Sequence, residues 1–288
     1  MSRKHIFELI KTQKPEPTEA FARIRYRYDH DEHRVRIGTN PYDNTMANFT
    51  VAEFIKAFIF PLFPIQTTHI NLNDFIHDLG IQINGPQTLD SLLSFIEFIW
   101  YAIDATPPEV LGHTITQYGG SNIYCDIENA INLTLAQFGY KEIRVSEGRI
   151  AVKQDYKTEQ ATKAITDTEC VDLLFQYNHF SNNGDITSKQ LILKQLGDYL
   201  EPTLQERDKH KDACWYGAAK TTSDLLNNFH IRHNNKTGHY KNEYITKLSD
   251  TELEEWYDKT HSMIVQFLIE RENENISKEI KQLRKNVS

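Results

Sequence analysis

The stretch Cys214-Trp215-Tyr216-Gly217-Ala218-Ala219-Lys220-Thr221-Thr222-Ser223-Asp224-Leu225-Leu226-Asn227-Asn228-Phe229 repeats its apolar residues at intervals of three and four. Cys214, Trp215, Ala218, Ala219, Thr222, Leu225, Leu226 and Phe229 share one side of a helix, which predicts an amphipathic helix buried along that stripe. A second stripe follows after a polar interval. Ser249-Asp250-Thr251-Glu252 reads as a capping box. Behind it, Leu253, Trp256, Tyr257, Thr260, Ile264, Phe267 and Leu268 keep the same period, and the charged run from Asn273 to Lys285 extends the helix. Upstream, Leu173, Leu174 and Tyr177 precede a turn at Ser181-Asn182-Asn183-Gly184, and a helix capped near Ser188 carries Leu191, Ile192, Leu196 and Leu200. Helices separated by short turns predict an antiparallel bundle over residues 164–288.

The first half, residues 1–155, reads as a second helical module. Thr50-Val51-Ala52-Glu53 is a capping box, and Phe54, Ile55, Phe58, Ile59 and Leu62 follow at helical spacing until Pro61 and Pro64. A short helix from about Asn73 to Leu79 stops at Gly80. Leu89, Leu92, Leu93, Ile96, Ile99, Trp100 and Ile103 form another stripe, closed by Pro107-Pro108. Ile123, Ile127, Ala130, Ile131 and Phe138 predict a further helix ending at Gly139. The period then changes to two: Tyr140 to Val145 and Arg149 to Val152 flank Ser146-Glu147-Gly148, a β-hairpin at about 140–152. The polar run Lys153 to Lys163 is the expected boundary. The predicted fold class is therefore mainly α, with one small hairpin. The aromatic stripe Phe54, Phe58, Phe60, Phe63, Phe95, Phe98, Trp100 and Tyr101 is expected in the core or a dimer interface.

Composition narrows the possibilities. A chain of 288 residues suits two ordinary domains. Its net charge of −8 argues against a protein that coats nucleic acid indiscriminately, while allowing a local basic site. Cys125, Cys170 and Cys214 are far apart and odd in number, with no CxxC pair, so neither a disulfide framework nor a zinc finger is expected. The N-terminus MSRKHIFELI lacks the apolar run of a signal peptide, and no segment approaches a membrane span of roughly 20 apolar residues. A cytoplasmic protein with no membrane partner is expected. No Walker loop, GxGxxG run, GxSxG elbow or paired-carboxylate motif occurs, so no cofactor is predicted.

Between the two stripes of the second half lies Ile231-Arg232-His233-Asn234-Asn235-Lys236-Thr237-Gly238-His239. Arginine supplies a permanent forked charge suited to phosphate, and histidine moves protons near neutral pH. Together in an inter-helix turn they suit phosphodiester chemistry. Their other common use is as capping groups, where positive charge meets the negative end of a helix. His230, His233, His239 and His261 match no standard zinc spacing and lack a thiolate or Glu-x-x-His partner, so no metal is expected. Lys236 and Lys241 lie beside the motif, where they either grip backbone phosphates or are simply solvated.

An arginine, a polar residue and a histidine six intervening positions beyond the arginine, set in a small helical bundle, resembles the HEPN superfamily. More narrowly, the segment from Lys189 to Glu272 is similar to the C-terminal HEPN domain of bacterial abortive-infection proteins, and Asn132-Leu133, Phe138-Gly139-Tyr140 and Glu147-Gly148-Arg149-Ile150 resemble their N-terminal module. The resemblance implies a metal-independent endoribonuclease with Arg232 and His239 as the catalytic pair and His233 at the polar position. It also implies a homodimer in which two motifs face one cleft, acting on RNA in phage defence or as a toxin, with a phage-derived trigger or an antitoxin as partner. His230, Lys236 and Lys241 are the expected substrate contacts. A second class stands beside it: a HEPN-like nucleotide- or nucleic-acid-binding module without turnover.

One further basic feature remains. Arg23-Ile24-Arg25-Tyr26-Arg27-Tyr28 and Arg34-Val35-Arg36-Ile37 read as a hairpin around Asp29 to His33, with Arg23, Arg25 and Arg27 on one face. Arg34 and Arg36 would complete a ribbon that tracks an RNA strand. The competing reading pairs these arginines with Asp29, Asp31 and Glu32 and packs the tyrosines inward.

Overall fold

A computed structural model describes residues 15–30, 35–38, 46–62, 71–81, 84–108, 114–116, 124–237, 239 and 241–287. The chain divides into two compact units, Met1–Ala151 and Val152–Ser288, and helix dominates both. No helix among the described residues is long and apolar enough to cross a membrane.

The first unit begins with α1 (Pro17–Asp29), where the sequence suggests a strand. Alternating arginines imitate a period of two, but the buried residues are Ala20, Phe21, Ile24 and Tyr28, spaced as one helical face. Packing decides: the Phe21 ring lies 4.7 Å from Phe95, and Tyr28 meets Phe95 edge-on at 5.3 Å. Pro17 suits the first helical turn, where its missing N–H costs nothing. The expected hairpin is therefore corrected. Strand β1 (Val35–Gly38) exists, but it pairs antiparallel with β2 (Met46–Phe49) and β3 (Thr114–Thr116), in the order β2-β1-β3.

The capping box at Thr50 forms as expected, with Glu53 N–H donating to Thr50 Oγ1 at 3.1 Å and Thr50 N–H to Glu53 Oε2 at 2.9 Å. It opens α2 (Val51–Phe54), which widens into a π turn over Ile55–Ile59 and tightens into a 3-10 turn over Phe60–Leu62. Pro61, which has no N–H to offer to a continuing helix, lies within that 3-10 turn. Next come α3 (Leu72–Asp78), α4 (Leu89–Asp104) and α5 (Cys125–Phe138), the last ended by Gly139 at φ 74°. Phe54, Phe60, Phe95, Phe98 and Trp100 are core, whereas Tyr101 is exposed; Phe63 lies outside the described residues.

The hairpin β4 (Tyr140–Val145) and β5 (Gly148–Lys153) follows the expected alternation. Buried Arg149 pins it, its Nε 3.0 Å from Asp104 and its Nη1 3.1 Å from Glu128.

In the second unit, the polar run expected to be a boundary contains α6 (Tyr156–Thr162), followed by α7 (Thr168–Tyr177). Then come α8 (Ile186–Glu206), α9 (Tyr216–Asn228) and α10 (Asp250–Val287). Helix α8 is capped by Asp185 rather than Ser188, because Asp185 accepts from both Thr187 and Ser188 N–H. Cys214 precedes α9 and is exposed, while the rest of that stripe, from Trp215 to Phe229, is buried or lines the core. Leu174, Leu193, Leu196, Ala219, Leu226, Tyr257, Ile264 and Phe267 form one continuous hydrophobic core. Burying such side chains contributes about 1.5–3 kcal/mol each. The Ser249–Glu252 capping box also forms.

Candidate functional site

The loop after α9 is built by its own polar side chains. His230 takes a left-handed backbone at φ 61°, the only non-glycine to do so among the described residues. This lets the chain reverse at a position where glycine is usual. Buried Asn235 holds the reversal. Its Oδ1 accepts the His230 N–H at 2.8 Å, its own N–H donates to His230 Nδ1 at 3.2 Å, and its carbonyl accepts the Asn242 N–H at 2.8 Å. Gln190 on α8 donates to the His230 carbonyl. Partial burial, reinforced by the nearby charge of Lys236, lowers the His230 pKa. A neutral ring is what Nδ1 needs to accept the Asn235 N–H hydrogen bond. Asn234 closes the next turn, accepting from Lys236 and Thr237 N–H at 3.2 Å each.

This reversal points Arg232 back at α8. Its N–H caps the Leu226 carbonyl at 3.0 Å. One guanidinium nitrogen, Nη1, pairs with Glu201, and the other, Nη2, donates to the Gly197 carbonyl. The side chain is only 12% exposed. Gly197 makes the approach possible: a Cβ built there meets Arg232 Nε at 3.1 Å and Leu226 at 3.2 and 3.3 Å. Glycine inside a helix is destabilising by roughly 0.5–1 kcal/mol relative to alanine, so its presence signals a steric demand.

Beside Arg232 opens a cavity of about 500 Å³. Lys194, Asp198 and Glu201 of α8 line one wall together with Leu204 and Gln205, Ser223 and Asn227 of α9 line another, and Arg207, Arg232 and His233 complete it. Arg207 Nε and Arg232 Nε are buried donors that find no acceptor among the described residues. Unsatisfied buried N–H groups are rare, and two guanidiniums carrying them at one cavity make it receptive to an anion. The carboxylates of Asp198 and Glu201 oppose that and make the lining mixed in charge.

The expected site residues thus separate. Arg232 and His233 share the cavity. His239 is exposed and is not among the lining residues, nor are half-buried Lys236 and exposed Lys241. His230 serves the loop. His261 lies in the core, its ring stacked on Tyr177 at 4.1 Å, and takes no part in a histidine cluster. Lys194, Asp198, Glu201 and Arg207 were not anticipated. The first three occur at i, i+4 and i+7 on α8, a polar row that, with Gly197, was visible in the sequence.

The basic ribbon does not form. Arg23 donates to Gln137 at 3.1 Å, Arg25 pairs with Asp29 at 3.0 Å and reaches Asn84 at 3.2 Å, and Arg27 donates to the Arg23 carbonyl. On a helix Arg23 and Arg27, four residues apart, share a side while Arg25 turns away from them, so the three do not form the single face that a strand would give. Arg36 stands in β1 in register with Asn48 and Ile115, and Arg34 lies outside the described residues.

Set against known protein families, curated proteins and solved structures, the chain matches none.

Proposed function

We propose that the second unit is a metal-independent endoribonuclease of the HEPN type. The observation that carries this reading is the cavity shared by Arg232 and His233, with Lys194 and Arg207 beside them. In the proposed reaction the RNA 2′-oxygen attacks phosphorus as its proton passes to a histidine. The bond to the 5′-oxygen breaks, and that oxygen takes a proton from an acid. The products are a 2′,3′-cyclic phosphate and a 5′-hydroxyl. His239 serves as base or acid, a role worth on the order of 10²–10⁴-fold, and His233 shares the proton work. Arg232 stabilises charge on the phosphorane oxygens. A phosphate can replace the Glu201 carboxylate on Arg232, because both accept from the guanidinium fork. Lys236 and Lys241 grip backbone phosphates.

The proposal extends to a cytoplasmic homodimer in which a second copy brings its own motif to the cleft, released by a phage-derived trigger or held by an antitoxin.

A second reading, a nucleotide- or nucleic-acid-binding module without turnover, is favoured by two observations. The Arg232 fork is committed to Glu201 and Gly197, and His239 stands outside the cavity lining.

The test is cleavage of RNA by the purified chain with a chelator present, with product ends analysed for cyclic phosphate. His239→Ala alters an exposed residue and leaves the melting temperature unchanged, so loss of cleavage reports chemistry. Arg232→Lys keeps the charge and loses the fork. Undiminished cleavage by His239→Ala overturns the catalytic reading, and RNA binding without cleavage by the parent selects the second one.

A further inference from the structure

Helix α10 runs for 38 residues, about 57 Å at 1.5 Å per residue. Its first half is core: Leu253, Tyr257, Ile264, Val265, Phe267 and Leu268 are buried. Beyond them the helix contacts its own unit along one side. Cys214 Sγ approaches the Glu270 carbonyl at 3.4 Å, and Arg271, Asn275 and Lys278 line a cleft with Trp215 and His210. The opposite side carries Ile276, Ile280 and Leu283, which are 44%, 44% and 64% exposed. Single exposed apolar residues are ordinary. Three on one face of a charged helix are not, because the pattern repeats at the spacing of a coiled-coil seam.

Assigning that seam gives a full register. Ile276 and Leu283 take the d positions, and Asn273 and Ile280 take a; Ile269, one heptad earlier, packs against the core of its own unit and marks where the seam begins. Glu272 and Glu279 then fall at g, with Ser277 and Arg284 at e. In a parallel pair, g of one helix faces the following e of its partner, so Glu279 meets Arg284 of a second copy twice over. Asn273 at a faces Asn273, the polar pairing that selects a parallel dimer. The antiparallel alignment that joins the same isoleucines sets Asn273 against Leu283 and leaves its amide unpaired. Helix formation is already nucleated by the buried first half of α10, so a short seam avoids the nucleation cost that weakens isolated peptides.

We infer that the C-terminal half of α10 is an interaction surface for a second copy of this chain, joined through a parallel two-stranded coiled coil along Asn273, Ile276, Ile280 and Leu283. The ribonuclease reading also calls for two copies; this inference adds the surface that joins them and rests on the outward face of α10, not on the Arg232 cavity, so a dimer unaffected by changes in that face refutes it alone.

Sedimentation of the full chain from about 1 to 100 µM, the range in which modest interfaces associate, is the test. The parent is expected to sediment as a dimer at the upper end. Ile280→Glu with Leu283→Glu, both exposed, should remain folded with unchanged helical circular dichroism and sediment as a monomer throughout. In a chain carrying Cys125→Ser and Cys214→Ser, Leu283→Cys should form a disulfide between two copies of residue 283, mapped by peptide mass. Three outcomes overturn the proposal. One is a parent that stays monomeric, another a dimer unaffected by the double variant, and the third a stripe that engages anionic vesicles while the chain remains monomeric.

Discussion

Replacing Gly197 by alanine sets two known quantities against each other at the point where fold and cavity meet. In the interior of α8, alanine is favoured over glycine by about 1 kcal/mol on propensity alone. The added methyl, however, stands 3.1 Å from Arg232 Nε and 3.2 and 3.3 Å from the two Leu226 methyls. Leu226 is fully buried and cannot retreat, and Arg232 is tied at both guanidinium nitrogens to Glu201 and the Gly197 carbonyl. Overpacking of this kind costs about 1–3 kcal/mol. The net is a destabilisation of about 1 kcal/mol, lowering the melting temperature by about 3 °C for a protein of this size. Gly217, in the first turn of α9, supplies the control, because a Cβ there meets nothing within 4 Å. Gly217→Ala should stabilise by about 0.5 kcal/mol. Both are read from urea midpoints and thermal unfolding followed by circular dichroism. If Gly197→Ala stabilises as much as Gly217→Ala, the methyl has been accommodated and the close approach of Arg232 does not constrain α8.

Two further outcomes follow from buried polar groups. His261 is enclosed in the core, and burial pulls its pKa down to about 4, against the weaker upward pull of Asp155 and Asp258. The folded protein therefore resists a proton that the unfolded chain accepts near 6.5. Its contribution is fully retained above that pH and declines as pH falls from 6.5 toward 4, by on the order of 3 kcal/mol. His261→Phe, which keeps the stack on Tyr177, should flatten the acid limb of a pH series of urea midpoints; an unchanged limb would show that other groups carry it. Asn235→Ala removes the acceptor of the His230 N–H in a buried setting and should cost about 1–2 kcal/mol. Amide exchange at His230 and Asn242 should quicken with it, and unaltered protection at both would refute the bracing role of Asn235.

The elements readable from sequence are those whose signals lie within a turn or two. The capping boxes at Thr50–Glu53 and Ser249–Glu252, the Gly139 stop, the 140–152 hairpin and the stripes of α9 and α10 stand where period and punctuation place them, and α8 does so apart from its cap, which is Asp185, and Leu191, which is exposed while Leu193 is buried. The misreading at Arg23 to Tyr28 came from the same rule. Period two and period 3.6 overlap over six residues, and the contacts of Phe21 and Tyr28 with Phe95 chose the helix. β3 carried too few residues to announce itself.

Helical periodicity and caps are properties of neighbouring residues, so the chain specified most of its helices, α1 excepted, and the position of the Arg232 turn without reference to anything distant. The partners of Arg232 are another matter. Gly197 is 35 positions away, and the cavity draws its charges from α8 as well as from the loop. Which faces meet depends on how helices pack against one another, because the burial of many side chains outweighs the preference of any single ion pair. Packing placed His233 at the cavity, left His239 outside its lining, and turned the apolar stripe of the α10 tail outward.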